Sequence, residues 1–269
     1  MQTVSAYILA FNEAEKIKAA VESVLWADEI VVVDSNSTDG TAAIAAGLGA
    51  RVVQVPFTSF GDLRNQGVEA CRCDWIFSLD ADERCTAAVR DEILSLLAGP
   101  PALDVYRVPR RNFMMGQWIR GSGWYPNFRQ PQFFRKGSMR YRTELVHEGY
   151  EVSSAKPIGT LRSAIWQFPF RNLSEVLRKA DRYSTLGATK MVGKRVTMAS
   201  AFWHGVWSFV KHYVFKAGFI DGWAGFVIAF GNFEGTFYRY AKRYEEAENW
   251  APPPSKPLRR ETATSPNNE

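Results

Sequence analysis

The chain is poor in the residues and patterns that build several common kinds of site. Its three cysteines, Cys71, Cys73 and Cys85, are an odd set with C-x-C spacing, which excludes a disulfide framework and suits a reduced, cytoplasmic protein. No C-x-x-C occurs, and the three histidines (His147, His204, His212) lie far along the chain, so a zinc site is not expected. No G-x-G-x-x-G follows the first apolar run and no G-x-x-x-x-G-K-[ST] is present, which removes the dinucleotide fingerprint and the ATPase phosphate loop. Met1-Gln-Thr-Val-Ser has no basic leader, so no signal peptide is expected. No uncharged apolar run approaches the roughly 18 residues of a spanning helix.

What is present is an ordinary globular balance, with 46% hydrophobic and 23% charged residues in 269. One domain of about 200–250 residues with an appendage fits that length. The net charge of +5 hides a division. Residues 1–104 carry 7 Lys/Arg against 16 Asp/Glu, and residues 105–269 carry 26 against 12. The two parts therefore see different partners, or face each other across one site.

The first hundred residues alternate short β-rich runs with helical stretches. Strands are expected at Val4–Leu9, Glu29–Val33, Arg51–Val55 and Trp75–Leu79. Helices are expected from Glu13 to Leu25 with Asn12 as cap, after the turn Ser37–Gly40, over Gly61–Cys71 and over Ala87–Leu97. Runs that are apolar on both faces, alternating with helices, imply a mostly parallel α/β sheet covered on both sides. Ligands on such sheets bind beyond the carboxyl ends of the strands, so Phe11–Glu13, Asp34–Ser37 and Asp80–Glu83 share one rim. Residues 100–165 change to loops rich in Pro, Gly, Arg and aromatics, with short strands expected at Val105–Val108, Gln132–Arg135 and Thr160–Trp166. Helix returns over 172–189 and 197–244, and the polar tail 251–269 with Pro252-Pro253-Pro254 reads as disordered.

Asp80-Ala81-Asp82-Glu83 is the most informative stretch. Carboxylates at i and i+2 on a turn leaving a buried strand can share a Mg²⁺ or Mn²⁺ ion with phosphate oxygens, or divide between a cation and a ribose. The competing reading is a solvated helix N-terminus. Asp34 ends another strand of the same sheet, where a carboxylate can accept from a base N–H or a ribose hydroxyl. Arg64 and Asn65 add a cation and an amide near that rim. With no phosphate loop, a diphosphate here has to be held by a metal and arginines.

Taken in order, Ala6-Tyr-Ile-Leu-Ala-Phe-Asn-Glu13, Ile30-Val-Val-Val-Asp-Ser-Asn-Ser-Thr-Asp-Gly-Thr41, Leu63-Arg-Asn65 and Leu79-Asp-Ala-Asp-Glu83 resemble the family 2 glycosyltransferases, across roughly residues 3–150. Where many members carry Pro in the first loop, this chain has Ala10-Phe11. Pro109-Arg-Arg-Asn112, Ser122-Gly-Trp-Tyr-Pro126, Pro131-Gln-Phe-Phe-Arg135, Val146-His-Glu148 and the aromatic C-terminal segment extend the similarity to bacterial lipopolysaccharide-core glucosyltransferases. The resemblance implies a Rossmann-like GT-A fold over residues 1–165, a helical acceptor and membrane region over 166–250, and the tail 251–269. It implies inverting transfer of a hexose, glucose by resemblance, from a UDP-sugar to a lipid-linked saccharide such as the lipopolysaccharide inner core. Mn²⁺ or Mg²⁺ is the implied cofactor.

The same resemblance distributes roles. Phe11, Asn12, Glu13, Asp34, Arg64, Asp80, Ala81 and Arg135 would surround the nucleotide sugar, and Asp82 would be the main metal ligand. Glu148 would take the acceptor proton while His147 ligates the metal or orients the base; the reverse assignment, and both as edge-strand polar residues, stay open. Glu83 is a lesser base candidate. Trp124 and Tyr125 offer a stacking face for an acceptor sugar, or packing within their loop.

Residues 202–250 hold 16 of the chain's aromatics, with Lys211, Lys216, Arg239, Lys242 and Arg243 among them. Such a segment suits a helix lying in a membrane interface, peripheral on the cytoplasmic face of the inner membrane, or a helical pair packed on the catalytic domain. No nucleic-acid motif accompanies the charge. Two other functional readings compete. A nucleotidyltransferase would release pyrophosphate and lacks its Gly- and Lys-rich first loop here. A non-catalytic membrane scaffold would bind lipid without turnover.

Overall fold

The computed structural model describes residues 2–128, 130–143 and 149–248. The first part alternates as expected: β1 (Val4–Ala10), α1 (Ala14–Glu22), β2 (Glu29–Asp34), α2 (Thr41–Gly47), β3 (Arg51–Gln54), α3 (Phe60–Ala70), β4 (Trp75–Asp80), the short β5 (Glu83–Arg84) and α4 (Ala87–Leu97). Short strands follow: β6 (Val105–Arg107), β7 (Arg110–Met114), β8 (Gln117–Trp118), β9 (Phe133–Arg135), β10 (Met139–Tyr141), β11 (Tyr150–Val152), β12 (Gly159–Thr160) and β13 (Ile165–Gln167). The chain ends in α5 (Leu173–Thr189), α6 (Met198–Val210) and α7 (Gly222–Glu248).

The main sheet has the order β12-β6-β9-β4-β1-β2-β3. β1 pairs in parallel with both β2 and β4, and β9 is antiparallel to its neighbours β4 and β6. All seven residues of β1 are buried, as the centre of a sheet covered on both faces requires. On one face Ile17, Val21, Ala45 and Ile93 pack on Ala6, Ile8, Val32 and Phe77. On the other, Leu63 of α3 with Met139 and Tyr141 of β10 covers Tyr7, Leu9, Val33 and Phe134. Each fully buried side chain of this size contributes about 1.5–3 kcal/mol. The result is the mixed, mostly parallel GT-A arrangement with helices on both faces.

A second sheet, β5-β13-β7-β8, positions the site. The expected strand Thr160–Trp166 is two strands in different sheets. The break arises because the N–H groups of Arg162 and Ser163 both donate to the Glu92 carboxylate at 2.8 Å, leaving no ladder there. β13 then pairs with β5 and brings Gln167 opposite Glu83. The boundary expected at residue 165 falls inside β13.

The helix expected over 197–244 is likewise interrupted. Thr197 and Ser200 form a capping box that starts α6. A π-helical turn over Lys211–Phe215 and a 3₁₀ turn over Gly218–Asp221 then reverse the chain, with Ala217 and Gly222 in the left-handed region (φ 52° and 57°). The hairpin closes tightly, since a Cβ on Gly225 would lie 1.8 Å from the Gly218 carbonyl oxygen. Among the described residues no single helix is long and apolar enough to cross a membrane, although Met198–Phe215 and Gly218–Glu248, bent by 73°, reach that length and apolarity together. The tail 251–269 lies outside the described residues.

Candidate active site

The sheet order 3-2-1-4 around β1 places the carboxyl ends of β2 and β4 on either side of the carboxyl end of β1. Ala10 is opposite Asp34, and Leu9 is opposite Asp80. Asp34 is fully buried. It accepts from the Ser37 N–H at 2.9 Å and from the Ser37 hydroxyl, closing the turn that follows β2. Beside it the Ser35 hydroxyl is buried with no partner among the described residues.

Asn12 does not cap α1. It sits in the left-handed region at φ 53°, donates its N–H to the Ser37 hydroxyl and accepts from the Thr38 N–H at 2.8 Å. Its side chain therefore stitches the first loop to the β2 loop, and Glu13 becomes the residue before the helix. Phe11 is 60% exposed beside it. Burial pushes the Glu13 carboxyl up, against the pull of Lys16 at 3.2 Å, and Asp82 pushes it further. The first loop thus reaches the acidic motif through Glu13.

At the end of β4, Asp80, Asp82 and Glu83 each offer a carboxylate oxygen within 4.8 Å of the others. Their environments differ. Asp80 is ion-paired with Arg64 at 3.0 Å, and Arg64 also contacts Ser78 and the Tyr141 ring. The Gln130 amide oxygen, turned toward the guanidinium, accepts from Arg64 Nη2 at 2.9 Å. Asp82 is half-buried and accepts from Gln167 Nε2 at 3.1 Å. Burial raises its carboxyl pKa, and the neighbouring Asp80 charge raises it further. Two crowded carboxylates, one with only the Gln167 amide as hydrogen-bond donor among the described residues, concentrate negative charge at this rim. That donor set suits a hard divalent cation.

Glu83 faces the other way. It is completely buried and lies 2.5 Å from Arg110 Nε, an ion pair whose angles fall outside hydrogen-bond geometry. Its second oxygen accepts from the Asp80 N–H at 2.9 Å and from Gln132 Nε2 at 3.0 Å. Burial pushes its pKa up to about 7 despite Arg110. Glu83 is therefore not a base within reach of an acceptor, and it does not lie at a helix N-terminus. It is a buried clamp that fixes the turn presenting Asp80 and Asp82.

Two further expectations are corrected by position. Arg135 pairs with Trp75, at the amino end of β4, and points to solvent. Five residues of strand, on the order of 16 Å, separate that level from Asp80, so Arg135 is remote from the rim. The Asn65 side chain is spent on the Tyr141 backbone, donating at 2.8 Å and accepting at 2.9 Å, so it pins β10 to α3 instead of serving the rim. Ala81 is buried and donates its N–H to the Leu9 carbonyl. His147 and Glu148 lie outside the described residues.

Trp124 and Tyr125 stand on the loop between β8 and β9. Tyr125 meets Trp118 edge-on at 5.2 Å. Trp124 accepts at its carbonyl from Asn112 and packs toward Phe170 and the Ile119–Ala224–Ile228 cluster. That loop is tied to the C-terminal hairpin: the buried Asp221 carboxylate accepts from the Arg120 N–H at 2.9 Å and the Gly121 N–H at 2.7 Å, and Ser122 N–H donates to Lys216. Gln130, Gln132, Gln167, Arg110 and Asp221 carry no role in the sequence reading, because isolated amides and an Arg-Arg pair do not announce their partners.

The glycosyl transferase family 2 profile matches residues 5–155. The chain is 31% identical over 254 residues, 90% of its length and 92% of the relative's, to the lipopolysaccharide core biosynthesis glycosyltransferase LpsC of Rhizobium meliloti (strain 1021). It is 29% identical over 258 residues (91% and 90%) to an uncharacterized glycosyltransferase of Rickettsia felis (strain ATCC VR-1525 / URRWXCal2). A partial likeness (TM-score 0.36, 28% identity, 41% of this chain and 44% of the other) is found to the crystal structure of glucosyl-3-phosphoglycerate synthase from Mycobacterium tuberculosis with Mn²⁺, uridine diphosphate and glucosyl-3-phosphoglycerate. With its ordered motifs on one sheet rim, the chain belongs to glycosyl transferase family 2.

Proposed function

We propose that the chain is an inverting, metal-dependent transferase that moves a hexose, glucose in our reading, from a UDP-sugar to the saccharide of lipopolysaccharide core. The observation that carries this reading is the rim where Asp34, Asp80 and Asp82 converge beside Arg64. The relation to LpsC supports the acceptor class.

Asp82, with Asp80, would hold Mn²⁺ or Mg²⁺. A divalent cation there supplies a Lewis acid to the diphosphate, on which negative charge grows as UDP departs. Arg64 keeps Asp80 in place and adds fixed positive charge near the same oxygens. Asp34, held by Ser37, reads the uridine. The loop Phe11–Glu13, laced to Thr38, closes one side of the nucleotide pocket. The acceptor hydroxyl attacks the anomeric carbon directly, with inversion, and gives its proton to Glu148 or His147. Trp124 provides an apolar ring near the acceptor side.

The exposed side chains of the C-terminal hairpin support docking on the membrane's cytoplasmic face: Trp203, Trp207, Phe215, Phe219 and Trp223 are each more than half exposed. α6 contains no Asp, Glu, Lys or Arg.

The deciding experiment is UDP release with UDP-glucose, purified core acceptor and Mn²⁺. Asp82→Ala is expected to lower kcat at least a hundredfold, and EDTA to do the same to the wild type. Undiminished turnover in EDTA would end the metal assignment, and pyrophosphate release from a nucleoside triphosphate would end the glycosyl-transfer assignment.

A further inference from the structure

A groove between α5 and α7 begins at Trp124, on the acceptor side, and beyond that ring plays no part in the chemistry above. Two adjoining cavities of about 230 and 460 Å³ form it, and Tyr183 and Arg239 line both. Its inner end is walled by Trp124 and Phe170, and Phe170 stands three residues beyond the Gln167 that holds Asp82. That end is largely apolar, with Met114, Val176 and Ile228, and carries one cation, Lys179, whose ammonium lies 5.0 Å from the centre of the Phe170 ring. The outer end is cationic, with Lys190, Lys194 and Arg239. Neither cavity is lined by a carboxylate. Among the described residues those three cations make no ion pair, while nearby Lys242 is taken by Asp181 and Arg243 by Glu246.

The floor of the groove is also informative. Gly231 and Gly235 lie inside α7, where glycine is less favourable than alanine by about 1 kcal/mol. A Cβ at Gly235 would meet nothing within 4 Å, and one at Gly231 would touch only Val176 at 3.9 Å. These glycines are not required by packing, in contrast to Gly225, and they leave the groove open.

We propose that this groove binds the phosphate-bearing saccharide of a membrane-anchored glycolipid, the portion of the acceptor beyond the sugar that reacts. The proposal rests on the transferase reading above. The 17 residues of α5 span on the order of 25 Å, so the ligand is an extended oligosaccharide. Sugar faces stack on Trp124 and Tyr183, and phosphates meet Lys190, Lys194 and Arg239. The aromatic hairpin α6–α7 puts the groove next to the bilayer that carries such a lipid.

The test compares wild type with Lys190→Gln/Lys194→Gln/Arg239→Gln on a core lipooligosaccharide in detergent micelles, native and chemically dephosphorylated. Binding is read by tryptophan fluorescence, and KM by UDP release. The triple variant is expected to bind the native acceptor at least about tenfold more weakly, about 1.4 kcal/mol. Wild type should lose the same factor on dephosphorylated acceptor, with no further loss when both changes are combined. UDP affinity with Mn²⁺ should stay within twofold, which reports that the variant is folded. Gly235→Leu, which fills the groove, should weaken binding of both acceptor forms. The proposal is overturned if the triple variant binds native acceptor as wild type does. It is equally overturned if the triple variant loses only its attachment to phosphatidylcholine–phosphatidylglycerol vesicles, because the cations then serve the bilayer. If wild type binds the acceptor but transfers no sugar, the transferase reading fails while the binding series still decides the groove.

Discussion

Glu83 and Arg110 show how much a single buried pair can determine. Both are almost completely inaccessible, and Glu83 also fixes the Asp80 N–H. Removing one partner of a buried pair leaves an uncompensated charge, at a cost of about 3–5 kcal/mol. Arg110→Met is therefore expected to lower unfolding stability by about that amount in urea titration, with part recovered in Glu83→Gln/Arg110→Met. Glu29 illustrates the opposite balance. Burial pushes its carboxyl up, but hydrogen bonds from Ser5, Arg51 and the Arg72 N–H outweigh this and hold it below its ordinary 4.5. A carboxyl depressed on folding contributes stability above its unfolded pKa and loses it as pH falls through the folded value. Glu29→Gln should thus destabilise the protein at pH 7, and the gap from wild type should narrow below pH ~4. A constant gap in urea midpoints across that range would refute the assignment.

Among the elements, the reversal between α6 and α7 is the joint that connects the two parts of the chain. Asp221 ends the 3₁₀ turn and accepts two backbone N–H groups of the loop that carries Trp124. An unsatisfied buried donor costs about 1–3 kcal/mol. Asp221→Ala leaves the buried Gly121 N–H and the half-buried Arg120 N–H without this acceptor, so faster amide exchange is expected at both, together with a higher acceptor KM at unchanged UDP affinity. Unaltered exchange at those amides would show that the loop is held elsewhere. The same reversal makes the stretch 197–244 a helical pair, the alternative that the sequence holds open beside one interfacial helix. The apolar spacing is helical throughout, and only two positive-φ residues, Ala217 and Gly222, turn the chain.

On the scale of the whole molecule, the charge division acquires a geometry. The acidic part forms the sheet rim, and the basic part lines the α5–α7 groove and flanks the aromatic hairpin. Lys211 and Lys216 border the reversal, where Phe215 and Trp223 are 70% and 77% exposed. A cation near an anionic membrane surface contributes about 1 kcal/mol, added to the burial of the rings. Trp207→Ser/Trp223→Ser/Lys211→Glu is expected to reduce partitioning onto anionic vesicles at least about tenfold. Flotation equal to that of wild type would remove the peripheral-membrane reading.

The parallel alternation of the first hundred residues and the acidic turn after β4 are legible in the amino-acid order alone. Strand and helix periods are local, and a fully apolar strand can only be central. The sequence also exposes the ordered motifs of the family. What each polar residue faces follows from the folded arrangement. Glu83 sits beside Asp80 and Asp82 in the chain yet points into the core, because Arg110 of β7 and Gln132, just before β9, arrive there from farther along the sequence. Arg135 belongs to the one strand antiparallel to its neighbours in the main sheet, so its place in a promising motif ended at the wrong edge. Asn12 found Thr38 instead of its own helix. Partners of this kind are set by sheet order and register, which arise from long-range pairing and leave no period in the sequence.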